Sequence, residues 1–304
     1  PEYRELMVRV FRYYVESLNV DGFRVDAAIW NVFPNWKKGI GRPAYASIYG
    51  SVEMFKLIRE EVHKIKPDAV FYTEYAGPLN CKSFDLAYNY DEHWLFDDLL
   101  PKKTSKQHFQ VKRTNSWKVT PGKMAEWFEL RRLAFPKGFC RVHHSDSHDS
   151  FTWGHYGLFK RDIFGDEGAR LYFAISVFLD GGVMVYAGAE KGSEDFYRKI
   201  LDICNKNKAL SEGSCEYQRI KSRDENVLAL LYRKDREWAI PVLSFSQERI
   251  KTELLFDPVI EDDEVVYTFY EMLSGEERTG RGRELKHMGV DLPPYAVQVW
   301  ELKK

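Results

Sequence analysis

The chain has 304 residues, 44% apolar and 15% aromatic, with 45 basic against 46 acidic side chains and a net charge of −1. At about 150 residues per domain, that length allows two domains or one large α/β barrel with a small appendage. Disorder and disulfide-stapled or collagen-like folds are excluded, and the balanced charge offers neither a nucleic-acid groove nor an anionic membrane as partner.

The apolar runs fall short of the roughly 18 residues a membrane span needs, and the opening PEYRELMVRV lacks the apolar core of a signal peptide, so the chain reads as soluble. Cys81, Cys140, Cys204 and Cys215 stand in no metal-ligand or redox spacing. Buried free thiols are the expectation, which favours a reducing compartment, the cytoplasm.

In chain order, residues 2–18 place Tyr3, Met7, Val10, Phe11, Tyr14 and Leu18 at helical spacing, and Asn19-Val20-Asp21-Gly22 breaks the period. A short strand is expected over 22–28. A helix follows, capped by Ser51, with Met54, Phe55, Ile58, Val62 and Ile65 on one face. Strands are expected over 69–75, 84–90, 140–147 and 182–187, and helices over 123–134, 167–179 and 193–208. Helices alternating with short buried strands predict βαβ units and a parallel sheet. Beyond about Glu212 the grammar changes: strands over 227–233, 237–245, 250–256, 265–271 and 295–302 follow one another without helices, and Arg233-Lys234-Asp235-Arg236 reads as a hairpin loop. The predicted division is therefore 1–212 for the α/β part and 213–304 for an antiparallel β-sandwich. Two long connections, 31–49 and 99–121, mix Lys, Gly, Pro and aromatics, as functional loops and solvated insertions both do.

Three segments carry candidate chemistry. In Asp21-Gly22-Phe23-Arg24-Val25-Asp26-Ala27-Ala28, strand alternation points Arg24 and Asp26 the same way, with Phe23, Val25 and Ala27 toward the helices. A guanidinium two residues away would hold Asp26 ionised and oriented, as a glycosidic nucleophile must be; a structural salt bridge is the plainer alternative. In Val70-Phe71-Tyr72-Thr73-Glu74-Tyr75, Glu74 leaves a strand between aromatics, whose apolar bulk raises a carboxyl pKa toward that of a general acid. A Glu merely entering solvent is the alternative there. In Arg141-Val142-His143-His144-Ser145-Asp146-Ser147-His148-Asp149-Ser150, a metal site could use His144, Asp146 and His148 from one face, whereas His148 and Asp149 could instead bind neighbouring sugar hydroxyls. No further ligand motif accompanies the metal reading, so no metal or cofactor is expected.

These segments, in this order and each at a strand end, resemble the later signature regions of the α-amylase family, glycoside hydrolase family 13. DGFRVDAA is similar to the family's fourth barrel strand, FYTEY to its fifth and the SHD of HHSDSHDS to its seventh. LDGGVMVYAGAE is similar to the eighth, keeping Gly181, Tyr186, Gly188 and Glu190, and LPPYAVQVWEL resembles the last strand of the following β domain. The resemblance implies a partial (β/α)8 TIM barrel, strands four to eight, followed by the β-sandwich. It also implies a retaining glycoside hydrolase or transglycosidase acting on α-glucans such as starch, glycogen or maltodextrin. Asp26 would be the nucleophile, Glu74 the general acid/base and Asp149 the carboxylate that stabilises the transition state through ring hydroxyls. Arg24 would orient Asp26, His148 would bind the sugar at the cleavage subsite, and Trp30, Tyr75 and Trp153 could stack on sugar rings or serve as packing. A retaining pair of carboxyls stands about 5–5.5 Å apart.

The sequence departs from the family pattern in places. Ile29 and Trp30 stand where many members carry a Lys-His pair, Ser147 replaces the common Asn, and Asp180 and Val183 replace the usual prolines of the eighth-strand motif. No segment matches the family's first signature region, which supplies an Asp, an Asn and a His and often binds calcium. PEYRELMVRV resembles the third barrel helix, so the first three strands are expected before Pro1. A complementary amino-terminal chain or a second copy would then complete the barrel. The rival reading is a non-catalytic relative used as a binding or assembly module.

Overall fold

The structure, a computed structural model, describes residues 2–28, 46–74, 77–88, 92–101, 119–154 and 157–303. It divides into two compact units, Pro1–Tyr90 with Leu133–Val142, and Asp91–Arg132 with His143–Lys304. Most of the two long connections, Trp30 and Tyr75 lie outside the described residues, and so does the side chain of Trp153.

In the first unit, α1 (Glu2–Leu18) ends at Asn19, whose φ of 50° only a few non-glycine residues adopt, and β1 (Gly22–Val25) follows at once. Then come α2 (Ala46–His63), β2 (Val70–Thr73) and β3 (Leu86–Tyr88). Ser51 is not the cap the sequence suggested. The helix begins earlier, and the buried Ser51 hydroxyl donates to the Ala28 carbonyl, tying α2 to the end of β1. Strands β1 and β2 pair in parallel with Phe23 beside Phe71 and Arg24 beside Tyr72, and β2 pairs in parallel with β3. Phe23, Val25 and Phe71 turn to one side, where they meet Phe11 of α1 and Phe55 and Ile58 of α2 in one apolar cluster. Alternation then puts Arg24 and Tyr72 on the opposite side. Gly22 is required for close approach, since a Cβ there would lie 2.2 Å from the Val70 carbonyl oxygen.

The chain continues through α3 (Glu92–Leu99), α4 (Pro121–Leu133) and β4 (Cys140–His144), the last parallel to β3. A π-type turn over Ser150–Gly154 leads to α5 (Lys160–Val177) and β5 (Gly182–Met184). The five strands of this sheet run β1-β2-β3-β4-β5 in chain order. The span of α5 starts seven residues before the expected Glu167 because it joins two helical pieces at a break, Gly165 at φ 80° and ψ 173°, and the second piece begins close to where the helix was expected. Helices α6 (Glu194–Lys206) and α7 (Lys208–Glu212) follow, with the Asn207 side chain capping α7 through the Leu210 N–H.

The remainder of the second unit is antiparallel: β6 (Ser214–Glu216), β7 (Lys221–Ser222), β8 (Val227–Ala229), β9 (Leu231–Lys234), β10 (Glu237–Ser244), β11 (Ile250–Leu255), β12 (Val266–Glu271), β13 (Glu277–Arg281), α8 (Gly282–Leu285), β14 (His287–Leu292) and β15 (Val297–Lys303). A seven-stranded sheet has the order β13-β12-β15-β10-β9-β6 with β8 on β10, and a three-stranded sheet has the order β14-β11-β7. Ile240, Val242, Phe269 and Trp300 from the larger sheet and Leu254, Val290 and Leu292 from the smaller bury one shared core, the arrangement of a sandwich. The expected strand 227–233 is broken between Ala229 and Leu231, with β8 and β9 each pairing to β10. No helix among the described residues is long and apolar enough to cross a membrane.

Candidate active site

The parallel register that sets Val25 beside Thr73 carries Asp26 and Glu74 one step past the ends of β1 and β2, where the Glu74 N–H still donates to the Val25 carbonyl at 3.2 Å. Both carboxyls thereby continue the face of Arg24. The Arg24 guanidinium hydrogen-bonds Asp26 through Nη1 and places Nη2 3.5 Å from Oε2 of Glu74. That same Oε2 accepts the Ala27 backbone N–H at 2.6 Å. Ala27 has φ 41°, a left-handed conformation an alanine avoids at some cost, and this bend lies in the segment whose amide reaches Glu74. Sequence reasoning missed this donor, because nothing about an alanine announces its backbone angle.

The two carboxyls differ in surroundings. The Asp26 side chain is 77% exposed, whereas that of Glu74 is 25% exposed. Burial pushes the Glu74 carboxyl above the usual range, and a hydrogen-bonding contact with Asp26 and its charge add to this, against the lowering pull of the Ala27 N–H and Arg24. Glu74 is thus shifted in the direction that a proton donor requires. Asp26 is solvent-facing and steadied by the guanidinium.

In the second unit, β4 ends in a polar run. Ser147 and Ser150 exchange hydrogen bonds, Ser147 N to Ser150 Oγ at 2.8 Å and Ser150 N to Ser147 Oγ at 3.1 Å, both side chains being buried. This lock fixes the turn that carries His148 and Asp149. His148 Nε2 stands 3.3 Å from Asp149 Oδ2, an oxygen that is buried and makes no hydrogen bond among the described residues. His144 and Asp146, two members of the possible metal trio, are buried, while the His148 side chain is 56% exposed. Among the described residues no group of three or more His, Cys, Asp or Glu side chains is arranged to hold a metal ion.

Behind this turn lies a network the sequence did not reveal. Lys160 is fully buried, with its Nζ 2.6 Å from Asp97 Oδ1 and 4.6 Å from the centre of the Tyr172 ring, and Tyr172 donates its hydroxyl to the same Asp97 oxygen at 3.1 Å. The Lys160 backbone N–H donates to Asp146 Oδ1 at 3.0 Å. Burial lowers His144 to about 3 and raises Asp146 to about 6. Beyond β5, Glu190 accepts the Gly188 N–H at 2.8 Å and Arg161 of α5 donates to the Gly188 carbonyl at 2.6 Å, so one charged residue of this turn and one from α5 brace it.

Solved structures share this architecture across nearly the whole chain. A maltogenic alpha-amylase from Thermotoga neapolitana matches 99% of the chain over 65% of its own length, at 15% identity and a TM-score of 0.69. The alpha-amylase of Geobacillus thermoleovorans matches 100% of the chain over 64% of its length, at 13% identity and a TM-score of 0.71. A debranching enzyme from Nostoc punctiforme matches 99% of the chain over 61% of its length, at 14% identity and a TM-score of 0.66. The chain thus spans about 65% of the length of the first of these. No curated protein matches it. The likeness fits the parallel sheet and antiparallel sheets to part of a (β/α)8 barrel with a carboxy-terminal β-rich domain. The Alpha-amylase family, described as the alpha amylase catalytic domain, matches residues 1–238, a span that holds Asp26, Glu74 and Asp149 alike, and the chain belongs to that family.

Proposed function

We propose that this chain carries the catalytic carboxylates of a retaining α-glucan glycosidase or transglycosidase. The observation that supports it most is the unequal pair on one guanidinium: Glu74 is pushed toward holding a proton while Arg24 steadies the exposed Asp26. Glu74 protonates the leaving oxygen, Asp26 attacks the anomeric carbon, and a glycosyl-enzyme forms. Water or a second sugar then resolves it with retention, Glu74 taking the proton back. Asp149 takes the role of the third carboxylate, and His148 a supporting sugar contact. Trp30, Tyr75 and Trp153 are the proposed stacking residues, and 1–212 and 213–304 the proposed domains. Similar structures solved with acarbose, maltose and maltotriose support an α-glucan oligosaccharide as ligand.

The test is release of reducing sugar from soluble starch. Asp26→Asn and Glu74→Gln should each abolish it, and activity that survives either change would sink the mechanism. A second reading, a non-catalytic binding or assembly module, is favoured by span, since the chain matches about 65% of a solved relative and five parallel strands are described against the eight of a closed barrel. Such a module would bind maltodextrin without cutting it. Completion by a complementary amino-terminal chain or a second copy belongs to the same proposal. It would appear as activity gained on mixing, or as a species of higher mass in solution.

A further inference from the structure

A cavity of about 550 Å³ opens at one end of the β-sandwich, lined by Trp238, Tyr267, Leu302, Asp235, Arg236 and Glu261, together with Val259. Its place follows from the register. Trp238 at the start of β10 faces Leu302 near the end of β15, and Leu302 also faces Phe269 of β12. Tyr267 lies two residues before Phe269 and so shares that face. Toward the middle of the sheet this face is the closed sandwich core; at its end the core is open, and Trp238 remains half-buried against it. The rim comes from two loops. Asp235, at φ 53°, and Arg236 form the two-residue turn between β9 and β10, and Glu261 follows a segment that Arg219 pins through the Pro258 carbonyl at 2.7 Å.

The rim charges stand apart from those near them in sequence. Arg233 pairs with Glu216, Lys234 with Glu212, Lys286 with Asp263, and Arg281 and Arg283 both with Glu264. Asp235, Arg236 and Glu261 make no ion pair among the described residues. Two carboxylates that only accept and one guanidinium that only donates, beside the half-buried Trp238 ring, suit a ligand bearing many hydroxyls and an apolar ring face. The two carboxylates disfavour an anion at the mouth, and together with the guanidinium they offer both acceptors and donors to hydroxyls, so the complement is polyhydroxylated and not anionic. The volume lies within the range of about 300–1,000 Å³ typical of small-molecule pockets.

We propose that this cavity is a second carbohydrate site, remote in sequence from Asp26 and Glu74, which holds a short neutral oligosaccharide against Trp238. The site stands on the cavity itself; its preference for an α-glucan rests on the function proposed above. The test is calorimetric titration of maltoheptaose into the full chain, with Trp238 fluorescence as a second readout. Binding should weaken by about tenfold or more in Glu261→Gln, an exposed and isosteric change that spares the fold, and in Trp238→Phe, which also removes the fluorescence response. Asp26→Asn should leave this binding event in place. Maltoheptaose binding that both pocket variants retain at full strength overturns the site. If maltoheptaose does not bind but cellohexaose or xylohexaose does, and Glu261→Gln weakens it, the site stands and the α-glucan reading falls. Binding of none of the three overturns the site.

Discussion

His144 and Asp146 are each 2% exposed, two residues apart at the end of β4, and burial moves them in opposite senses, which predicts opposing pH dependences of stability. His144 falls from 6.5 to about 3, so between those values the unfolded chain binds a proton that the folded chain refuses. Stability from this group is complete above 6.5 and is lost as pH falls, at about 1.36 kcal/mol per pH unit. Asp146 rises from 3.8 to about 6, so the folded chain keeps a proton that the unfolded chain has released. Stability from Asp146 is complete below 3.8 and is lost as pH rises, at the same slope. Over the shared window, 3.8 to about 6, each contributes a swing of about 3 kcal/mol, and the two cancel in the native chain. Removing either partner should uncover the other. His144→Gln should make the urea midpoint fall as pH rises from 4 to 6. Asp146→Asn, which keeps an oxygen for the Lys160 N–H, should make it rise over the same range. Profiles for both variants that run parallel to the native one would refute the reasoning.

Other consequences are equally open to measurement. Gly22→Ala should cost about 1–3 kcal/mol, because its Cβ would sit 2.2 Å from the Val70 carbonyl oxygen and force β1 and β2 apart; an unchanged melting temperature would contradict this. Lys160→Met strands Asp97 in the core and should cost about 3–5 kcal/mol, most of it recovered when Asp97→Leu is added, and failure of the double variant to recover would count against the pair as described. The Glu74 carboxyl lies above its ordinary value in the folded chain, so the penalty for ionising it grows as pH rises through the interval between the two values. Glu74→Gln should therefore gain stability relative to the native chain across that interval, and a constant difference in urea midpoint would show that burial does not perturb Glu74.

Strand ends were legible because parallel strands flanked by helices leave a short apolar run followed by a polar residue. That pattern located Asp26, Glu74 and the run from His143 to Asp149. Side-chain alternation read correctly as far as Val25, since Phe23 and Val25 join the helix-facing cluster and Arg24 faces away, but at the left-handed bend of Ala27 it fails, and Ala28 joins the cluster in place of Ala27. Other features depend on partners far along the chain. Lys160 sits 63 residues from Asp97, and no local pattern marks a lysine that will be buried. Ser51 looked like a cap because serine so often is one, but its hydroxyl is used on the Ala28 carbonyl. The strand β13 has no buried residue and no apolar alternation, as suits a charged strand at the edge of a sheet, so it gave no signal. Helix α3 is short and could not be told from the irregular sequence beside it.

The arrangement at Asp26 and Glu74 turns on one side chain. Arg24 reaches both carboxyls from two nitrogens of a rigid plane, one to Asp26 and one 3.5 Å from Glu74 Oε2. A lysine would keep the positive charge, and with it much of the electrostatic support for an ionised Asp26, but a single ammonium on a flexible stem cannot fix the directions of two carboxyls at once. Charge and geometry are therefore separable here. Under the proposed chemistry, Arg24→Lys should lower kcat on soluble starch by about a hundredfold, the scale expected when reacting groups are misplaced by about 1 Å, and leave KM nearly unchanged. Because the Ala27 N–H still holds Oε2 of Glu74, the basic limb of the pH–rate profile should stay where it is. A loss confined to KM would assign Arg24 to substrate binding instead. An unchanged kcat would mean that the guanidinium plane does not position the nucleophile.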